Sequence, residues 1–147
     1  MIRPAIHSDV PRLVELAILL HATSNYSTMA FDAEKTGNFM RELIDGLGVV
    51  FVAEVGGEVV GGVAAGITDQ WFSNDLIVFD YSIFIDPSRR SGITAMRLVN
   101  TLKEWGRIKG AKQLHMGIGT GIHVEGTVKL YQACGLNHFG PLMMMEL

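Results

Sequence analysis

Apolar and polar positions recur along this chain with two different periods, and the points where the period changes divide it into short elements. Residues 2–5 read as a first strand. Beyond them Val10, Leu13, Val14, Ala17 and Leu20 recur every three or four positions, which predicts a helix with one buried face. Ser8 is placed to cap that helix, Asp9 suits the positive end of its dipole, and Pro11 is tolerated in its first turn. Residues 23–30 are polar and broken, a loop. A second helix is predicted over 32–46, with Phe39, Met40, Leu43 and Ile44 as its apolar side.

The pattern then turns to strands. Residues 49–55 are β-branched and apolar, and Gly56-Gly57 signals a hairpin. The returning strand, 58–68, contains Gly61, Gly62 and Gly66, which weaken it or mark a bulge. After a turn at 71–75, residues 76–85 form a fourth strand, apolar apart from Asp80 and Ser82, and Asp86-Pro87 ends it. Such a run suits a central strand covered on both faces.

The strongest helical pattern spans 91–109, with Met96, Val99, Leu102, Trp105 and Ile108 along one side and Gly110 as its stop. A fifth strand over 112–118, a loop at 119–121 and a short helix over 124–133 follow, the helix stopped by Gly135. One or two last strands are expected over 136–139 and 142–147, around the Gly140-Pro141 break. The order β-α-α-β-β-β-α-β-α-β(-β) predicts one α/β (α+β) domain over 1–147, a mixed sheet with helices on its faces.

Composition narrows the partners. With 147 residues, 48% of them apolar and 18% charged, the chain builds one packed core and is not disordered. Twelve basic against fifteen acidic residues give a net charge of -3, without the basic surplus of a nucleic-acid binder. The first residues lack the apolar core of a signal peptide, and no segment is apolar for long enough to span a bilayer, so a cytoplasmic protein is expected. Cys134, the single cysteine, can form no internal disulfide and reads as a small buried hydrophobe in a reducing compartment. The five histidines show no metal-ligand spacing, and no metal is expected. Met143, Met144 and Met145 read as core or dimer-interface packing, and a homodimer is the default assembly at this size.

The chemistry concentrates at 83–95. There a buried strand passes through a short turn, Ser88-Arg89-Arg90-Ser91-Gly92, into the first turn of the long helix. A helix start leaves several backbone N–H groups without carbonyl partners and carries partial positive charge. Gly92 admits a ligand close to the backbone, and Arg89 and Arg90 add charge, so a phosphate or diphosphate is the natural guest. The competing reading is an ordinary strand-to-helix turn with two solvated arginines. The turn is neither a P-loop nor a dinucleotide fingerprint, because the glycines and lysine of those patterns are absent.

Asp80, in the middle of an apolar strand, is either a carboxylate whose pKa burial raises toward a general base or a structural Asp paired with an Arg or backbone amides. Ser82 is expected on the same side as Asp80, where it would hold a water or simply satisfy the strand. Tyr131, on helical spacing alone, is a core residue with a satisfied hydroxyl. His123 and Glu125 flank the last loop as substrate-lining or merely exposed residues. Trp71 and Phe72 either close over a substrate or cap the core.

Across nearly its whole length the chain resembles the GNAT acetyltransferase superfamily. The resemblance rests on the Ile2-Arg3-Pro4-Ala5 strand leading to Asp9, the Gly56-Gly57 hairpin, the turn after Pro87, and Leu130-Tyr131-Gln132-Ala133-Cys134-Gly135-Leu136, similar to the family's Leu-Tyr-x-x-x-Gly-Phe ending. The family's (Gln/Arg)-x-x-Gly-x-(Gly/Ala) turn matches from Arg89 to Ile93, with Thr94 where Gly or Ala is usual. The turn is one residue shorter than the commonest version, and Val124 replaces a frequent Asn.

The resemblance implies a mostly antiparallel central sheet splayed between its fourth and fifth strands, with acetyl-CoA as acyl donor in the gap. Phe84 and Ile85 would pair with the pantetheine arm, amides among Arg90, Ser91, Gly92, Ile93 and Thr94 would hold the diphosphate beside Arg89, and Tyr131 would sit near the thioester sulfur. It also implies transfer of acetyl to a primary amine of a small molecule or peptide by direct attack, with Tyr131 serving the leaving thiolate and Asp80 a candidate base. The departures at Thr94 and Val124 keep a second expectation open, a non-catalytic acyl-CoA-binding or regulatory module on the same fold.

Overall fold

Chain order and spatial order coincide in the sheet: β1 (Ile2–Pro4), β2 (Gly48–Val55), β3 (Glu58–Gln70), β4 (Ser73–Ile85) and β5 (Gln113–His115) lie side by side in that sequence. The structure, a computed structural model, describes residues 1–147. The first four strands are antiparallel neighbours, and β5 runs parallel to β4. Two tight turns make the long hairpins. Gly56 and Gly57, at φ +58° and +80°, close the first, a conformation that favours glycine. The second needs only Trp71 and Phe72, so β3 and β4 run three residues closer to each other than the predicted turn at 71–75 allowed.

Helices α1 (Val10–Thr23) and α2 (Ala33–Glu42) cover one face; α3 (Gly92–Ile108) and α4 (Val124–Ala133) belong to the other. The parallel β4–β5 pair requires a crossover, and α3 is that crossover. On the first face Val10, Leu13, Leu16, Met40 and Leu43 pack on Val50, Val52, Ala64 and Phe84. On the second, Leu98 and Leu102 meet Phe51, Val63, Ala65 and Val78. A smaller cluster, Val99, Tyr131 and Cys134, ties α3 to α4. Each fully buried Leu among these contributes roughly 2 kcal/mol.

Four expectations need correction. The buried stripe of α3 is Leu98, Val99, Leu102 and Gly106, whereas Ile108 is exposed. Gly106 sets this rotation: a Cβ there would stand 3.1 Å from Val78, so the helix backbone lies close on β4. Ser8 is exposed and caps nothing; Asp9 instead accepts the Ile6 N–H at 2.9 Å and pairs with Arg3 at 2.8 Å. The fifth strand stops at His115 rather than 118, because Gly117 N–H turns to the Asp80 carboxylate instead of continuing the ladder. Residues 136–147 form no strand. A three-residue β5 offers little edge to pair with, Gly140-Pro141 interrupts the segment, and Phe139 and Met143 to Met145 are exposed rather than core.

Candidate active site

Asp80 and its neighbours owe their directions to one extra residue in β4. Ala65 stands opposite Asp80 and Ala64 opposite Ser82, so Tyr81 has no partner and forms a β-bulge. Cross-strand partners share a face, and Ala64 and Ala65 belong to opposite cores. The bulge therefore sends Asp80 toward the α3–α4 face and Ser82 toward the α1–α2 face, against the expectation that they project together. Tyr81 joins Ser82's side, its ring edge-on to Phe39 at 4.8 Å and to Phe79 at 5.1 Å.

At the same place the sheet opens. β5 pairs with β4 only through Ile77, Val78 and Phe79. Beyond Asp80 the outer edge of β4 faces a cleft of about 970 Å³, bounded across the gap by 116–122 and α4. Asp86 N–H donates to Val60 O, and Phe84 O lies against Gly61, so by alternation Phe84 directs its backbone groups to β3. Ile83 and Ile85 present theirs to the cleft. Of the two residues expected to pair with an extended arm, Ile85 keeps that position; Phe84 lends its ring to the core instead.

One end of the cleft is the start of α3. Ser91 caps it, its Oγ accepting the Thr94 N–H at 3.4 Å, and Ser91 O accepts from Ala95. The amides of Gly92 and Ile93 precede the first helical bond, and nothing lies within 4 Å of where a Gly92 Cβ would be. Arg90, Ser91 and Gly92 line the cleft; Arg89, Ile93 and Thr94 do not. Arg89 turns to Glu58 at 3.6 Å. The turn is braced by Asp86, which accepts from Ser88 N–H and Oγ–H and pairs with Arg12 at 2.7 Å. The two Ser88 bonds and then Arg12 hold the Asp86 carboxyl below its ordinary range. Nothing in the sequence marks Arg12 or Glu58, which reach the turn from distant elements.

The other end carries the titratable groups. Asp80 Oδ1 accepts from Gly117 N–H at 3.1 Å, across the fork of the sheet, and burial raises its pKa to about 6. Tyr131 is 6% exposed and also lines the cleft. Burial, then the negative charge of Asp80, pushes its phenol well above the ordinary range. The hydroxyl therefore stays protonated at neutral pH and is a donor. Cys134 is buried behind it, its thiol likewise pushed up by burial. His123, at φ +46° ahead of α4, lines the cleft; Glu125 is exposed and does not. Trp71 and Phe72 meet edge-on at the far hairpin tip, their ring centres 5.3 Å apart, away from the cleft.

Sequence reasoning missed the loop between α1 and α2. Asn25 N–H donates to Thr120 O at 2.8 Å and its Nδ2 to Gly119 O at 3.3 Å, while the Tyr26 hydroxyl packs on Gly119. The loop thus crosses to the far wall of the cleft. Its polar character was visible, but its partner lay 94 residues on, in a loop rich in glycine.

No group of three or more His, Cys, Asp or Glu side chains is arranged to hold a metal ion, and no helix is long and apolar enough to cross a membrane. Comparison with solved structures places the same architecture in acetyltransferases. A putative acetyltransferase from Agrobacterium tumefaciens superposes with a TM-score of 0.78 at 19% identity, over 100% of this chain and 99% of that one. Glucosamine-6-phosphate N-acetyltransferase from Arabidopsis thaliana gives 0.77 at 18% identity, over 99% and 97%. An aminoglycoside acetyltransferase, meta-AAC0020, from an uncultured soil metagenomic sample, solved with sisomicin, gives 0.72 at 17%, over 100% and 94%. No curated protein matches by sequence. The model of the acetyltransferase (GNAT) family matches residues 16–136, most of the chain, and the protein belongs to that family.

Proposed function

We propose that the protein transfers an acetyl group from acetyl-CoA to a primary amine by direct attack, with no covalent enzyme intermediate. The observation that carries this reading is the joining of two unlike ends in one cleft: free amides at the start of α3, and a carboxylate beside a protonated phenol where β4 and β5 part. Acetyl-CoA enters as the donor substrate. The Gly92 amide and Arg90 receive its diphosphate, and the outward backbone groups of Ile83 and Ile85 pair with the pantetheine arm as an added strand would.

An amine attacks only when neutral. Asp80, ionised above about pH 6, takes a proton from the incoming ammonium. The nitrogen then bonds to the thioester carbonyl carbon, and an N–H on the open edge of β4 stabilises the oxyanion. As the C–S bond breaks, the Tyr131 hydroxyl gives its proton to the departing sulfur and takes up the second proton of the attacking nitrogen, while Asp80 releases its proton to solvent. Holding donor and amine together supplies much of the rate by orientation alone. The acceptor is a small molecule or peptide; solved relatives of the fold are named for aminoglycosides and for glucosamine 6-phosphate. A cytoplasmic setting, consistent with the lone buried Cys134, and a homodimer complete the reading.

The test is amine-dependent release of free thiol from acetyl-CoA, paired with thermal shift by CoA. Both are expected. A CoA shift with no amine turned over supports a non-catalytic binding module, and a shift by other nucleotides but not CoA removes the donor assignment.

A further inference from the structure

The cleft has two faces, and only one of them is polar enough to serve the donor. On the α1–α2 side of the fork its wall is made by Leu20, Tyr26, Phe79, Tyr81, Leu142 and His115, with Ser82 the one small polar side chain. Phe79 and His115 are paired neighbours across β4 and β5, so they stand together on this face. Gly66 makes the aromatic arrangement fit: a Cβ there would meet the Phe79 ring at 2.6 Å. Phe39, Tyr81 and Phe79 form a chain of edge-to-face rings, and Tyr26 closes the space from the loop that crosses to Gly119.

The charges tell the same story. Among the residues lining the cleft Asp80 is the sole carboxylate, and Arg90 and Lys129 are its two permanent cations. A polycation carries several ammonium groups, each of which loses water on entry and needs a compensating carboxylate or exposed site. This cleft compensates one. A sugar phosphate needs cationic donors on the acceptor side, where the wall holds no Arg or Lys and the one histidine, His115, already shares its Nε2 with Gln113. Rings that border the approach favour a single ammonium passing their faces and an apolar body remaining against them.

We infer that the acceptor is a primary monoamine with an aromatic or similarly flat apolar body, held by Tyr81, Phe79 and Tyr26 with its nitrogen directed to Asp80. This rests on the transferase reading above and narrows it. It separates the protein from the aminoglycoside and glucosamine-6-phosphate enzymes that share its fold.

The experiment measures kcat/KM at fixed acetyl-CoA for phenethylamine and tyramine, hexylamine, spermidine, sisomicin and glucosamine 6-phosphate. The two aryl amines are expected to exceed the polyamine, the aminoglycoside and the sugar phosphate by at least about tenfold, with hexylamine between. Tyr81→Ala, at a half-exposed position that the fold tolerates, is expected to raise KM for phenethylamine about tenfold. It should move KM for hexylamine less and leave KM for acetyl-CoA unchanged. If sisomicin, spermidine or glucosamine 6-phosphate is the best substrate, or Tyr81→Ala affects all amines alike, this inference is overturned while the transferase reading stands. If CoA stabilises the protein and no amine is acetylated, the transferase reading falls and the inference with it.

Discussion

Along β4, Ile77, Val78 and Phe79 are paired on both edges, to β3 and to β5, whereas Ser82 to Ile85 pair with β3 alone. Both halves are apolar and would pass equally for the middle of a sheet. The first half is structural: Val78 is buried against Leu98, Leu102 and Gly106. The second half has its outer edge free, its faces exchanged by the Tyr81 bulge, and the start of α3 at its end. One unpaired residue and one early strand end convert a core strand into a cleft wall. The candidate site is a local failure of sheet pairing, held open by surroundings that are otherwise well packed.

Changes on the open half should affect chemistry more than folding, and changes on the closed half the reverse. The largest effect is expected for Tyr131→Phe, which keeps the ring in its cluster with Val99 and Cys134 and removes only the donor hydroxyl. Steady-state kinetics should show kcat reduced about 100-fold with KM for acetyl-CoA within about twofold. A loss of CoA binding instead would make Tyr131 structural.

Asp80→Asn should lower kcat/KM at pH 7.5 by roughly 30-fold and abolish the acidic limb of the pH profile. In the native protein that limb is expected to fall tenfold per unit below about pH 6. The stability effect has the opposite sign. Because the folded protein holds Asp80 above its ordinary carboxylate value, the folded state binds the proton more tightly, and stability drops as pH rises toward and through about 6. Asparagine does not ionise and escapes that loss. Thermal melts at pH 8 should therefore place the variant roughly 3 °C above the native protein, a difference that vanishes near pH 3.

Gly92→Glu sharpens the contrast at the other end of the cleft. A carboxylate in the first turn favours the α3 dipole, and the side chain has open space, so Tm should hold or rise slightly. The same charge beside the donor diphosphate should raise KM for acetyl-CoA about tenfold. On the closed half, Gly106→Val pushes a branched side chain into Val78, and a denaturant midpoint should report a loss of about 1–3 kcal/mol. Its effect on KM for acetyl-CoA should be less than about twofold.

The parts that were legible in the sequence are those set by near neighbours. The α3 start could be read from Ser91, Gly92 and the strand before it, because a cap and the orphan amides behind it are local chemistry. The Gly56-Gly57 hairpin, the buried Cys134 and the position of Tyr131 on a short helix followed for the same reason. Asp80 was visible as a carboxylate in an apolar run, but its direction was not. The bulge that exchanges it with Ser82 exists only in the register between β3 and β4, and periodicity cannot show an inserted residue. The Arg12–Asp86 pair and the Asn25–Thr120 bond join segments far apart in the chain and had no local mark. The closing segment, 136–147, has strand-like composition, yet β5 is too short to template it.

A crystal structure of the protein with CoA bound would locate the donor against the start of α3 and Tyr131. Acetyl transfer as proposed requires the diphosphate within hydrogen-bonding reach of the Gly92 amide and Arg90, the pantetheine arm along Ile83 and Ile85, and the sulfur beside the Tyr131 hydroxyl. A diphosphate seated away from the start of α3, or a sulfur remote from Tyr131 and Asp80, would contradict it.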